Sequence, residues 1–143
     1  MNSAKENHMS KSIPTIQKYM TTQPHTINHE QTLKKARAVM QDYRIRHLPV
    51  LNAGKLVGIL SERDINLVLS FETHEAENMK VEEACTDQPY VTTPTALLSD
   101  VAAHMAQHRF GSAVVMDNDK VVGIFTEVDA MKALSELLET RLK

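Results

Sequence analysis

Gly58-Ile59-Leu60-Ser61-Glu62-Arg63-Asp64 returns later in the chain as Gly123-Ile124-Phe125-Thr126-Glu127-Val128-Asp129. In both places an apolar run ends in a hydroxyl residue, with an aspartate three positions on. Working outward at the same offset, residues 20–70 laid on 85–135 give 16 identities in 51 pairs without a gap. Unrelated segments of that length would share about three, so the chain contains an internal repeat. Duplication brings pseudo-two-fold symmetry, and the groove between the halves is the first place to seek a ligand.

The pattern around each copy predicts the same order of elements. Lys55 to Leu60 is almost continuously apolar, as expected of a strand buried on both faces. Ser61 opens a helix running to about Phe71, buried through Ile65, Val68 and Leu69. Upstream, His47 to Leu51 predicts a strand joined to the first by the Asn52-Ala53-Gly54 turn. Leu33, Ala36, Met40 and Tyr43 form one stripe of a helix over Thr32 to Tyr43. His25-Thr26-Ile27 reads as a short extended piece, and Ile13 to Met20 as a short helical turn. The second copy gives an extended Tyr90-Val91-Thr92 and a helix over Ala96 to His108, with Leu98, Val101, Ala102 and Met105 inward. Strands over Ser112 to Met116 and Lys120 to Phe125 follow, and then a helix from Thr126. The fold class is therefore α/β (α+β), two β-α-β-β-α repeats. The expected layout is a disordered lead-in at 1–12, repeat one at 13–71, a charged linker at 72–80, repeat two at 81–137 and a helix end at 138–143.

Bulk properties narrow the function. The 143 residues suffice for one compact core, and 42% hydrophobic with 24% charged residues is ordinary for a soluble protein. A formal net charge of −2 gives no electrostatic reason for nucleic acid as a partner. The single cysteine, Cys85, excludes an intrachain disulfide and favours a reducing compartment. With no membrane-length apolar run and no signal-peptide core, the expectation is a cytoplasmic protein without membrane association.

Ser/Thr-x-x-Asp at a helix start supports two readings. The free N–H groups and positive dipole of a helix N-terminus attract phosphate, with Ser61 or Thr126 adding a hydroxyl. One turn on, Asp64 or Asp129 is placed to accept both hydroxyls of a ribose diol. The same spacing is also a capping box, in which hydroxyl and carboxylate serve only backbone donors.

The surroundings carry a resemblance. Tyr19-Met20-Thr21, Pro24-His25-Thr26-Ile27, Thr32-Leu33-Lys34-Lys35-Ala36, Arg46-His47-Leu48-Pro49-Val50 and Gly58 to Ile65, in that order, resemble a cystathionine-β-synthase (CBS) domain. Phe110-Gly111-Ser112-Ala113-Val114-Val115 with Gly123 to Asp129 is similar to the partner domain of a tandem pair, a Bateman module. The resemblance spans about residues 13–137. It implies two repeats packed through their sheets, with adenosine ligands such as AMP, ADP, ATP or S-adenosylmethionine held in two clefts. By position, Asp64 and Asp129 would hold ribose, and Ser61 and Thr126 phosphate. Thr26 and Val91 would lie near adenine beside Tyr90, while His47 and Ala113 would offer the strand edge that reads the base. The resemblance also implies a homodimer, a regulated protein partner and no required cofactor. The alternative is a ligand-free interaction module whose Ser/Thr-Asp pairs only cap helices.

The halves differ where a phosphate would sit. Arg46, His47 and Arg63 in repeat one correspond to Gly111, Ser112 and Val128, while Arg44 and Arg109 are shared. This predicts unequal sites, the more basic one accepting more phosphates; simple solvation of a surface is the other reading of these arginines. No nucleophile with an adjacent base is evident, so no catalytic residue is assigned and an enzyme is not expected. His104 and His108 have helical i, i+4 spacing, but the Glu of the metalloprotease pattern is missing. They read as a half-buried or dimer-facing pair, with no metal site. Met40 and Met105 read as core filling and Cys85 as an inert small hydrophobe. Ala130, Leu134, Leu137, Leu138 and Leu142 form a stripe that caps the core and has residues left over for a second subunit.

Overall fold

The computed structural model describes residues 12–71 and 75–142. The lead-in expected at 1–12 thus lies outside the described residues except for Ser12, as do positions 72–74 of the linker. Among the described residues seven strands form two sheets. β1 (Thr21–Thr22), β7 (Lys120–Thr126), β6 (Ser112–Asp117) and β5 (Val91–Thr92) lie side by side in that order. β2 (Ile27–Asn28), β3 (His47–Asn52) and β4 (Lys55–Ser61) form the second sheet. The helices are α1 (Leu33–Tyr43), α2 (Glu62–Phe71), the single turn α3 (Val81–Ala84), α4 (Leu98–His108) and α5 (Glu127–Arg141). Short 3-10 turns cover Ile16–Lys18 and Ala76–Asn78.

Each hairpin is built from local chemistry. β3 and β4 run antiparallel from His47 opposite Ser61 to Asn52 opposite Lys55, and β6 and β7 repeat this from Ser112 opposite Thr126. Both contain a bulge one turn from the hairpin end. The loops need positive φ, which Ala53 and Gly54 adopt in the first and Asn118 and Asp119 in the second. The crossover helices also end alike. Arg44 and Arg109 take left-handed C-cap conformations, and their N–H groups donate to Met40 O and Met105 O.

Two cores follow. Leu33, Ala36, Met40, Leu48, Leu60 and Ile65 anchor the first, and Leu98, Val101, Met105, Ala113, Phe125 and Ala133 the second. Burying each large side chain contributes about 1.5–3 kcal/mol, so the stripes rather than local propensity hold the helices. Two expectations fail. Tyr43 is 56% exposed, because its stripe position lies at the last helical residue, past the sheet; its ring stacks on His25 at 3.7 Å. β4 is not buried on both faces, since Lys55 and Val57 are exposed while Gly58 and Leu60 are buried. It is an outer strand of its sheet and alternates accordingly.

The repeats exchange their leading segments. Ile16, with Tyr19 and Met20, packs into the core of the second repeat, and β1 pairs antiparallel with β7. Conversely Val81, with Met79, Ala84 and Cys85, packs into the core of the first. Ile59 and Thr86 exchange two backbone hydrogen bonds at 2.9 and 3.0 Å. The part of the 72–80 stretch that is described is therefore tied down: Leu33 N–H donates to Met79 O, and Val81 N–H to Gln31 O. His29 pairs with Glu82 from the same segment.

Candidate functional site

Each candidate site is assembled where a long central or outer strand delivers the chain into a helix. Ser61 ends β4 and Asp64 lies in the first turn of α2. Asp64 N–H donates to Ser61 Oγ at 3.1 Å, and Ser61 N–H donates to Asp64 Oδ2 at 2.9 Å. Thr126 N–H donates to Asp129 Oδ2 at 3.0 Å and the Thr126 hydroxyl to the same oxygen at 3.3 Å. Both pairs therefore form capping boxes. The next N–H is also used: Glu62 donates to Arg46 O at 2.8 Å and Glu127 to Gly111 O at 3.3 Å. The helix starts are thus less open to an anion than bare N-termini. The Asp64 cap itself engages Oδ2 and leaves Oδ1 out of that pair of bonds.

The two carboxylates have different neighbours. Asp129 is only 7% exposed, and the Thr21 hydroxyl, from the exchanged segment, lies 3.4 Å from both of its oxygens. Asp64 is half-buried and lies near Cys85 of the other exchanged segment, whose thiol is pushed up by burial and then by this carboxylate. Sequence reasoning did not single out Thr21 or its repeat equivalent Thr86. The signal was available, because Thr21 and Thr86 are identical at the repeat offset.

A free strand edge borders each helix start. β2 pairs with β3 only at Val50 and Leu51, so His47 to Pro49 extend past it. β5 pairs with β6 only at Val114 and Val115, which leaves Ala113 in the equivalent place. His47 lies opposite Ser61 in the ladder, so the two are neighbours. Burial lowers the His47 pKa, while Glu127 and Asp64 pull it up, Arg46 pushes it down and Glu62 adds a further upward pull. The Ala113 side chain is fully buried in the second core, so only its backbone can contribute to a site. Thr26, just before β2, and Val91, the first residue of β5, are exposed.

The remaining candidates are not all brought in. The Tyr90 ring stacks on His104 at 4.2 Å, and Phe110 lies 5.7 Å away. The ring thus packs on α4 of its own repeat, and burial raises its hydroxyl pKa. His104 and His108 are 4.2 Å apart within the same aromatic group. Among the described residues no three His, Cys, Asp or Glu side chains converge to hold a metal. Arg63 is exposed on α2, and Arg46, 75% exposed, approaches Glu62 at 4.0 Å. Among the described residues no helix is long and apolar enough to cross a membrane.

Comparison with known proteins agrees with this fold. A family model, the CBS domain, matches residues 9–70 and again 81–136. The CBS domain-containing protein YhcV of Bacillus subtilis (strain 168) is 29% identical over 110 residues, covering 77% of this chain and 78% of YhcV. The structure of AcuB from Vibrio cholerae superposes with a TM-score of 0.82 at 30% identity, covering 91% of this chain and 96% of that one. The CBS domain pair of protein MJ0100, in complex with 5'-methylthioadenosine and S-adenosyl-L-methionine, gives a TM-score of 0.76 at 26% identity over 85% of this chain and 99% of its own. Longer relatives are matched only in part. The chain spans 21% of an inosine-5'-monophosphate dehydrogenase from Bifidobacterium longum.

Proposed function

The chain belongs to the CBS domain family, and from that premise we propose that it binds an adenosine ligand between its repeats and acts as a regulatory sensor, not an enzyme. The observation that carries this reading is the duplicated unit of hydroxyl, aspartate and free strand edge at Ser61–Asp64 beside His47 and at Thr126–Asp129 beside Ala113. The 5'-methylthioadenosine and S-adenosyl-L-methionine held by the similar MJ0100 pair favour an adenosine-type ligand. Asp64 and Asp129 hold the ribose diol, Ser61 and Thr126 face the phosphate or its substitute, and Thr26 and Val91 border adenine. Tyr90 supports that wall from behind through its stack on His104.

The sites are unequal. Asp129 is enclosed by its cap and by Thr21, whereas Asp64 is more open, with Arg63 and Arg46 nearby. The Asp64 cleft therefore binds first and accepts the longer phosphate chain. Ligand bridging both repeats shifts the population between relative arrangements for which it has different affinity. A second copy covering Leu67 and Phe71 of α2 and Met131 and Leu138 of α5, all exposed, reads that shift in a cytoplasmic homodimer or passes it to a regulated protein.

Calorimetric titration with AMP, ADP, ATP and S-adenosylmethionine tests the reading. We expect binding that Asp64→Asn weakens at least about tenfold, by losing a charged hydrogen bond worth about 1.5–3 kcal/mol. Asn is used because Asp→Ala would also remove the helix cap. No heat with any of the four at millimolar concentration overturns the sensor. It would favour a ligand-free interaction module, the reading that the satisfied capping bonds at both helix starts support.

A further inference from the structure

The repeats meet where His47 faces Gly111. A Cβ at position 111 would lie 2.9 Å from His47 Nε2 and 3.0 Å from Glu127 Oε1. Both side chains thus crowd one point on the Gly111 backbone, which only a residue without a side chain leaves open. His47 begins β3 of the first repeat; Gly111 precedes β6 and Glu127 begins α5 of the second. Because Glu127 N–H donates to Gly111 O at 3.3 Å, a displacement of Gly111 also displaces the start of α5, where Asp129 sits. The contact is one-sided, since Ser112, the counterpart of His47, is buried and does not titrate at ordinary pH.

We propose that His47 and Gly111 form a proton-operated joint between the repeats, closed while the imidazole is neutral and loosened when it is protonated. A charged ring in this position is short of water, because His47 is partly buried, and must move outward to regain it. The facing charges are Glu127 from α5, Asp64 and Glu62 from α2, and the adjacent Arg46. The three carboxylates favour the charged ring, but burial outweighs them and holds His47 below the usual histidine value. The sign follows from linkage. The folded chain releases this proton more readily than the unfolded chain, so the contribution to stability is complete above about pH 6.5 and is lost as pH falls below it. Where an adenosine ligand binds at Asp64, which rests on the reading above, acidification would also change the second site.

The test uses the full ligand-free chain, so it stands or falls separately from nucleotide binding. Histidine ring resonances are followed by NMR across the acid range, with His47 assigned from His47→Gln. We expect His47 to titrate below the ordinary histidine value and the Gly111 amide to move with the same midpoint. Urea denaturation at about pH 7.5 and about pH 5.5 should show a smaller acid loss in His47→Gln than in the wild type. Gly111→Ala, which pushes the ring outward, should raise the His47 midpoint. The joint is overturned if His47 titrates at or above the ordinary value. It is equally overturned if Gly111 does not respond at the His47 midpoint, or if His47→Gln keeps the full acid loss.

Discussion

Asp64 and Asp129 occupy the same place in two copies of one unit, yet they live in different surroundings. Each caps the helix it belongs to. Asp129 is also closed over by Thr21, a residue of the other repeat, whereas Asp64 stays half-buried beside Cys85. The difference arises because each repeat completes the other with its leading segment, and the two segments have diverged. Met20 and Cys85 are repeat equivalents, and each packs over the central glycine of the opposite sheet. Duplication preserved the local geometry, and the exchanged segments made the halves unequal.

The glycines offer the strongest way to break this comparison. A methyl on Gly58 would meet the Thr86 carbonyl oxygen at 2.6 Å and Cys85 Sγ at 2.9 Å, whereas on Gly123 it would meet Met20 Sδ at 2.6 Å. Backbone tied by two ladder bonds cannot step aside, but a thioether can change rotamer. Gly58→Ala should therefore cost about 2–3 kcal/mol and Gly123→Ala about 1 kcal/mol or less, read from urea denaturation midpoints. Equal losses would mean that the two exchanged segments are held with equal stiffness.

The carboxylates come next. Asp129→Ala removes a cap and leaves Thr21 without its acceptor, and should cost about 2 kcal/mol; Asp64→Ala loses the cap alone, about 1 kcal/mol. A Thr21→Val background should bring the two costs together, a double-mutant cycle that isolates the contact between repeats. The smallest effect belongs to the exposed Arg37–Glu77 pair at 3.1 Å, which has no equivalent because Ala102 stands in the second repeat where Arg37 stands in the first. Arg37→Ala should change stability by no more than about 0.5 kcal/mol.

Much of this was legible in the sequence. The periodic stripes through Leu33–Met40 and Leu98–Met105 gave both crossover helices, because helical period and burial coincide there. The Ser61–Asp64 and Thr126–Asp129 spacing gave the helix starts, and the structure realises it as capping bonds. Tyr43 was misplaced because its stripe continues past the sheet that would cover it. The left-handed caps at Arg44 and Arg109 were hidden, since arginine is not a residue that announces positive φ.

The sequence by itself determined the repeat, the order of elements and the chemistry available at each helix start, because these depend on period, spacing and residue type over a few turns. Only the tertiary structure decided which segment completes which sheet, that Thr21 closes over Asp129 and that His47 meets Gly111. Those contacts join residues far apart in the chain, and no local period encodes them. They arise because each core is completed by the apolar leading segment of the other repeat.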